Sequence, residues 1–517
     1  MPTCQRRWLP NSRISCQSAA AGRQHKVPHY IKRNMNKAIH LLIVSAALAL
    51  IANVVEATET RQPNILFLAV DDLRPELACY GSPQAVTPNM DALSKQSVQF
   101  SRSYVTYPLC LPSRASMLTG RRIDYSARRK RVGFTDLIGI QSTWPRTFRE
   151  AGYWTATIGK LYHGNVPEND KSAWDEPGLF WHDKTHDWSP ELMTKVVDQG
   201  GDQKALESFI QKGKGSGALI WQSIDGGDDA LNDGKTATKA IDFLKNRPKD
   251  KPFLICAGFS RPHMPWLAPK KYFDLYPEDA GELAYIPDGE KREILPEDKG
   301  SGVGNNATWN EGVSDEAARK LVRGYLASVS YADAQVGRIL VALREMKLDD
   351  NTIVILWGDH GYHLTDHGLW RKNTIYHIAS RNPFMMRVPG RSAGVCEGVV
   401  EAIDIYPTLL ELAGVSANSD IKIDGRSLAP LLSDPKAPWE HSAFIQGKGY
   451  QGIVTQQYRY CISSASQPEK LFDLKADPHE WKNLVADPEY KDVVETLRIQ
   501  VQEGFSGDNV FDAQVKR

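Results

Sequence analysis

The chain has 517 residues, 63 basic and 62 acidic, for a formal net charge of +1 and a mean hydropathy of −0.41. That balance argues against a general nucleic-acid binder, and the hydropathy against a polytopic membrane protein. With 41% hydrophobic residues, 39 Gly and 30 Pro, composition excludes collagen-like, coiled-coil and disordered chains and suits a large sheet domain with a smaller companion.

The first 57 residues differ from the rest. They hold eight Lys/Arg against Glu56 alone, which leaves 55 basic and 61 acidic residues in the body, about −6 by formal count. Met35-Asn-Lys37 opens a basic region, Leu41 to Val55 is almost wholly apolar, and Val55-Glu56-Ala57 is a small-x-small cleavage site. This pattern predicts a signal peptide over 35–57, hence an exported protein, preceded by a leader over 1–34 of doubtful translation. The apolar run is too short for a stable membrane span. Beyond it lie Cys79, Cys110, Cys256, Cys396 and Cys461, an odd number without a C-x-x-C pair. Four can pair as two disulfides of undetermined connectivity, which makes Cys110 the first candidate for chemistry.

Asn64–Val70 is a continuous apolar run ending at Asp71-Asp72, as in a buried parallel strand whose carboxyl end delivers two acids. Thr87-Pro88, with Asp91 and Leu93, predicts a helix start with Thr87 as N-cap. From Gly164 to Gly234 periodicity is weak and Trp, Asp and Gly abound, which reads as a functional loop or lid. Pro252–Ala257 and Asn351–Trp357 repeat the buried-strand pattern, followed by Arg261-Pro-His263 and Asp359-His360; Ala317–Met346 has helical spacing. The alternation implies an α/β fold, a mostly parallel central sheet with helices on both faces and ligands gathered at the strands' carboxyl ends. Ser433-Asp-Pro-Lys-Ala-Pro438 marks a boundary between a catalytic domain over 58–435 and a smaller C-terminal α+β subdomain over 436–517. Asn306-Ala-Thr308 fits a glycosylation sequon.

Asp71, Asp72 and Asp359 offer hard oxygen ligands suited to Ca²⁺ or Mg²⁺, whereas nothing in the sequence has zinc-hydrolase spacing. The same acids equally fit helix capping and turn chemistry. In Cys110-Leu-Pro-Ser-Arg114, Pro112 favours a first helical turn and sets Cys110 beside a helix N-terminus, where an anion is stabilised. A buried free cysteine has the same local pattern. His263 also reads as a packed loop histidine, and Lys160 and Lys372 as solvated lysines. Arg121-Arg122 and Arg128-Arg-Lys-Arg131 form a basic cluster that either steers an anionic polymer or is a solvated face.

Cys110-x-Pro-Ser-Arg114 with Leu118-Thr-Gly120 resembles the maturation signature of the type I sulfatases. Pro63–Arg74, Cys79-Tyr-Gly81, Thr87-Pro-Asn89, Gly159-Lys160, Asp359-His-Gly361 and Leu471-Phe-Asp-Leu…Asp477-Pro-His-Glu480 follow in family order. Arg261-Pro-His-Met-Pro265, Ala327-Ser-Val-Ser-Tyr331 and His360-Gly-Tyr-His…His367-Gly-Leu-Trp370 look like the iduronate-2-sulfatase branch. The resemblance implies an alkaline-phosphatase-like sulfatase fold and one Ca²⁺ held by Asp71, Asp72, Asp359 and His360, faced by Cys110. It further implies that a formylglycine-generating enzyme matures Cys110 to formylglycine, whose hydrate is the nucleophile. Arg114 would orient that diol, with Lys160 and His163 around the nucleophile and His263 and Lys372 near the leaving oxygen. The implied substrate is a sulfated saccharide, iduronate 2-sulfate first and another sulfated polysaccharide next, with phosphate or phosphonate esters as the alternative. The segment after Asp124 departs from the branch pattern.

Overall fold

The structure is a computed structural model that describes residues 62–123, 133–139, 142–178, 219, 221–291, 307–309, 315–447, 449–463 and 468–505. The leader, the export segment, the Arg128–Arg131 cluster, Asn306 of the sequon and residues 179–218 lie outside the described residues.

Every residue of Asn64–Val70 (β1) is buried, as its unbroken aliphatic run requires of a central strand. Around it are Val98–Tyr104 (β2), Trp154–Gly159 (β3), Glu176–Pro177 (β4), Phe253–Phe259 (β5), Thr352–Gly358 (β6), Arg381–Arg387 (β7) and Gly394–Glu401 (β8). They form one sheet in the order β8-β2-β7-β6-β1-β5-β3-β4. Neighbours run parallel except at β7, which is antiparallel to both β2 and β6.

Alternation along β1 feeds both faces. Leu66, Leu68 and Val70 pack with Ala240 and Phe243 of helix Asn232–Asn246 (α1) and with Leu326 and Val329 of helix Asp315–Glu345 (α2). Ile65, Phe67 and Ala69 meet Met117 and Leu118 from the helix that Cys110 begins, and Tyr406 from another. Full burial of such aliphatic and aromatic side chains stabilises the fold by about 1.5–3 kcal/mol each. A separate antiparallel sheet of Ala443–Gly447, Tyr450–Val454, Tyr458–Ser463 and Lys470–Asp473, with helix Lys491–Gly504 packed on it, forms the smaller C-terminal subdomain.

Four expectations change. Thr87 does not cap its helix: its hydroxyl accepts from Ala78 N and donates to Asp91, because Asp91 reaches it first. Asp71-Asp72 caps no helix, since Asp72 sits at φ 57° and turns the chain away. The five cysteines are all free, fixed on separate elements of a large sheet fold rather than paired. The irregular stretch is not loop throughout, because Asn232 already begins α1, and Glu176–Pro177 extends the sheet edge.

Gly258 abuts the next strand's exit: a Cβ there would lie 2.2 Å from the carbonyl carbon of Lys160. Gly258→Ala is expected to destabilise the protein by about 1–3 kcal/mol through overpacking, read as a lower denaturant midpoint, and to lower activity by displacing Lys160.

Candidate active site

Strand register creates the site. Val70 pairs with Phe259 and Gly358, and Gly159 with Gly258, so β1, β5, β6 and β3 end level. The ladder continues one residue further, through Asp71 N to Phe259 O, Asp359 N to Val70 O and Lys160 N to Gly258 O. Asp71, Asp72, Asp359, His360, Lys160 and the His263 loop therefore gather at one end of the sheet. Asp233 on α1 secures that loop by accepting from Ser260 N and Arg261 N at 2.8 and 2.7 Å.

Cys110 begins the helix Cys110–Thr119, so its thiol stands where free backbone N–H groups favour negative charge. Its Sγ is 3.4 Å from His360 Nε2, 3.8 Å from Asp72 Oδ1, 3.2 Å from Lys372 Nζ and 3.9 Å from Lys160 Nζ. Burial and Asp71 oppose ionisation of the thiol, but Lys160, Lys372 and His360 outweigh them and its pKa falls. One turn on, Arg114 is fully buried and donates to Asp71 Oδ1 at 3.0 Å and to Asp359 Oδ2 at 2.9 Å. It also donates to the carbonyls of Lys160 and Leu161. Ser113 Oγ holds the Asp359 carbonyl at 2.5 Å.

The acids are grouped closely enough to hold a cation. One ligand atom each of Asp71, Asp72, Cys110 and His263, and likewise of Asp71, Cys110, Asp359 and His360, lies within 4.8 Å of the others. Asp72 Oδ2 is buried without a hydrogen-bond partner, which an incoming cation would satisfy. Burial, followed by the charge of Asp71, pushes Asp359 well above the usual carboxylate range, a crowding of like charge that a divalent ion relieves. This oxygen-rich set fits a hard ion. His360 turns Nδ1 to the Gly361 carbonyl at 2.8 Å and points Nε2 at Asp72 and Asp359; against burial, Asp359 raises its pKa to about 9.

The remaining cations differ in protonation. Burial opposes the charge of Lys372, but Asp72, its ion-pair partner, and Cys110 lift its pKa well above normal; Lys160, paired with Asp71, is raised in the same way. His263 is drawn down to about 3 by burial, with Lys160 and Lys372 acting against Asp72. Its Nδ1 donates to Met264 O at 2.7 Å, which leaves Nε2 an acceptor. His163 stands at the rim with its side chain exposed; the protein packed beneath it, then Lys160, bring it down to about 4. All ten residues singled out from the sequence thus lie at this end of the sheet, nine of them in the pit and His163 at its edge.

The sulfatase family model matches residues 63–415, more than half of the chain. The chain belongs to the sulfatase family. A second model, described as N-sulphoglucosamine sulphohydrolase, C-terminal, matches residues 365–505 of this sulfatase. It is 31% identical to iduronate 2-sulfatase of Mus musculus over 72% of its own length and 73% of the relative's. To an arylsulfatase of Clostridium perfringens it is 30% identical over 84% of its length and 93% of the relative's. In fold it is similar to a phosphonate monoester hydrolase of Agrobacterium radiobacter, with a TM-score of 0.68, 20% identity, and 86% and 95% of the two chains covered.

Sequence patterns had not singled out Tyr325. From the buried face of α2 its hydroxyl donates to Asp72 O and accepts from Arg74 N, both at 3.0 Å. It thereby pins the left-handed turn that aims the Asp72 carboxylate. No local motif marks it, because it meets Asp72 from 253 residues away. Tyr325→Phe strands both backbone groups, at a cost of about 1–3 kcal/mol. A lower denaturant midpoint is expected.

Proposed function

We propose that this sulfatase removes sulfate from a sulfated saccharide, with iduronate 2-sulfate units as the first candidate, through a formylglycine made from Cys110. The observation that carries the reading is the Cys110 side chain at a helix N-terminus, ringed by three acids, two histidines and two lysines within one buried pit. That ring suits a tetrahedral oxyanion beside a hard cation. A formylglycine-generating enzyme would be the partner in maturation, and the basic, apolar segment at 35–57 supports export.

Asp71, Asp72, Asp359 and His360 would hold one Ca²⁺. When present, the hydrated aldehyde supplies a nucleophilic hydroxyl and a second one whose loss of a proton expels sulfate, and the cation polarises a sulfuryl oxygen. Arg114 fixes Asp71 and Asp359 and, through them, the attitude of residue 110. Lys160 and Lys372, both charged, flank the sulfuryl oxygens and stabilise charge that grows as the ester bond breaks. Proton delivery to the departing sugar oxygen falls to Lys372 rather than His263, since His263 is neutral with its only N–H committed to Met264 O. His163, neutral at the rim, is placed to accept the proton that leaves during sulfate release.

Sulfate release from defined sulfated saccharides, using protein co-produced with a formylglycine-generating enzyme, tests the reading. Release from a uronate 2-sulfate unit is expected, with Cys110→Ala inactive and Cys110→Ser stalled as a sulfate ester, since serine has no second hydroxyl to eliminate. Release only from other sugars sinks the iduronate assignment. Hydrolysis of phosphonate monoesters without sulfate release, with the aldehyde confirmed by peptide mass, sinks the sulfatase activity.

Lys372→Met is expected to lower kcat by about 10²–10⁴-fold, the usual range for a proton donor. The loss should be smaller for substrates with acidic leaving groups such as aryl sulfates, which need no proton; equal losses on both would move the donor role elsewhere.

A further inference from the structure

Two cavities outside the catalytic pit, of about 370 and 460 Å³, share a wall made by His377 and Arg381. Tyr80, Tyr285, His479 and Trp481 help line the first; Arg102, Glu397 and Lys475 help line the second. Carboxylates in the first are already engaged, Glu76 and Asp366 by Arg74 and Glu480 by Arg459. Arg381 donates from Nε to Ser101 O at 2.8 Å, and its two terminal nitrogens have no acceptor among the described residues. Arg102 donates to Thr455 O, Gln456 O and Gln456 Oε1, and no carboxylate is among these partners. Lys475 is exposed, and Glu397 is the one carboxylate on the second cavity's described lining.

In the second cavity cations exceed acids, Arg102, Arg381 and Lys475 against Glu397, whereas in the first Arg74 and Arg381 face Glu76, Asp366 and Glu480. Burial, then Arg381, Arg459 and Arg102, hold His377 well below its usual range, and burial lowers Arg381 itself. Flat aromatic surface adjoins these cations: Tyr285 is 56% exposed and its ring lies 4.7 Å from that of His479. Arg381 opens β7, whose antiparallel register with β6 brings it level with the Asp359–His360 end of the sheet.

We propose that the second of these cavities, with its Arg381 wall, is a further binding site for an anionic saccharide. Arg381, Arg102 and Lys475 take a sulfate or carboxylate group of a sugar outside the pit. The inference rests on the sulfated-saccharide reading and extends it from a single sugar to a longer chain.

A heparin-derived hexasaccharide, titrated calorimetrically into Cys110→Ala protein with and without further changes, tests it. Arg381→Gln is expected to weaken binding about tenfold or more, as loss of a charged hydrogen-bond donor does. Exposed Lys475→Glu, which leaves the core untouched, should weaken it about threefold to fivefold. Lys491→Glu, the same charge change on the exposed start of helix Lys491–Gly504, should bind as the parent does. Parental affinity in both Arg381→Gln and Lys475→Glu overturns the site, and so does an equal loss in Lys491→Glu. Inorganic sulfate that displaces the hexasaccharide at equal sulfate concentration overturns it in favour of a small-anion site. Failure of the matured wild type to release sulfate from any saccharide sinks the functional reading instead, and the titrations still decide the site.

Discussion

Arg114 is wholly buried between two buried carboxylates that belong to different strands. Asp71 follows β1 and Asp359 follows β6; burial and the like charge of Asp71 push Asp359 upward, and Arg114 acts against that shift. A guanidinium suits this place better than an ammonium, because its planar fork donates from Nε to one acid and from Nη to the other and still serves the Lys160 and Leu161 carbonyls. Breaking such a buried pair from one side typically costs about 3–5 kcal/mol, since a charge is left without a partner. The helix that carries Arg114 is thereby locked to the sheet, and Cys110, one turn earlier, is locked with it.

Around that lock acids and cations are interleaved. Asp71, Asp72 and Asp359 stand against Arg114, Lys160 and Lys372, and each lysine pairs with an acid while facing the Cys110 sulfur. A site of this kind is pre-arranged in two senses. Its donors are fixed before a ligand arrives, and its acids are packed so closely that a divalent cation lowers their energy. Under the proposed function, the arrangement suits a tetrahedral oxyanion rather than the alcohol attached to it. On the proposed reading, selection among alcohols falls to the walls beyond the pit, where Arg381 offers a cation.

Close backbone approach is the other requirement. Gly258 and Gly159 lie side by side in β5 and β3, and a side chain on either would strike the neighbouring main chain. That contact draws Lys160 against the sheet end so that its ammonium reaches Asp71. Asp72 accepts a left-handed backbone for a related reason: the turn lets its amide meet Asp359 Oδ1 at 2.9 Å while its carboxylate faces Cys110 and Lys372.

Much of this was legible in the sequence because the chemistry sits at strand and helix ends, where composition changes abruptly. An apolar run ending in Asp71-Asp72 marks both a central strand and its ligands, and Cys110-x-Pro-Ser-Arg114 marks a helix start with two functional residues one turn apart. Local pattern determined these because hydrophobic periodicity and turn chemistry act over a few residues. Capping by Thr87, pairing of cysteines and the extent of the irregular stretch were decided otherwise, by partners that no short-range pattern names. Tertiary structure alone set the register that levels Asp71 with Asp359 and Lys160, raised the pKa of Lys372 while lowering that of His263, and brought Tyr325 to Asp72. These depend on burial and on charges hundreds of residues apart in the chain, which become neighbours only when the sheet closes.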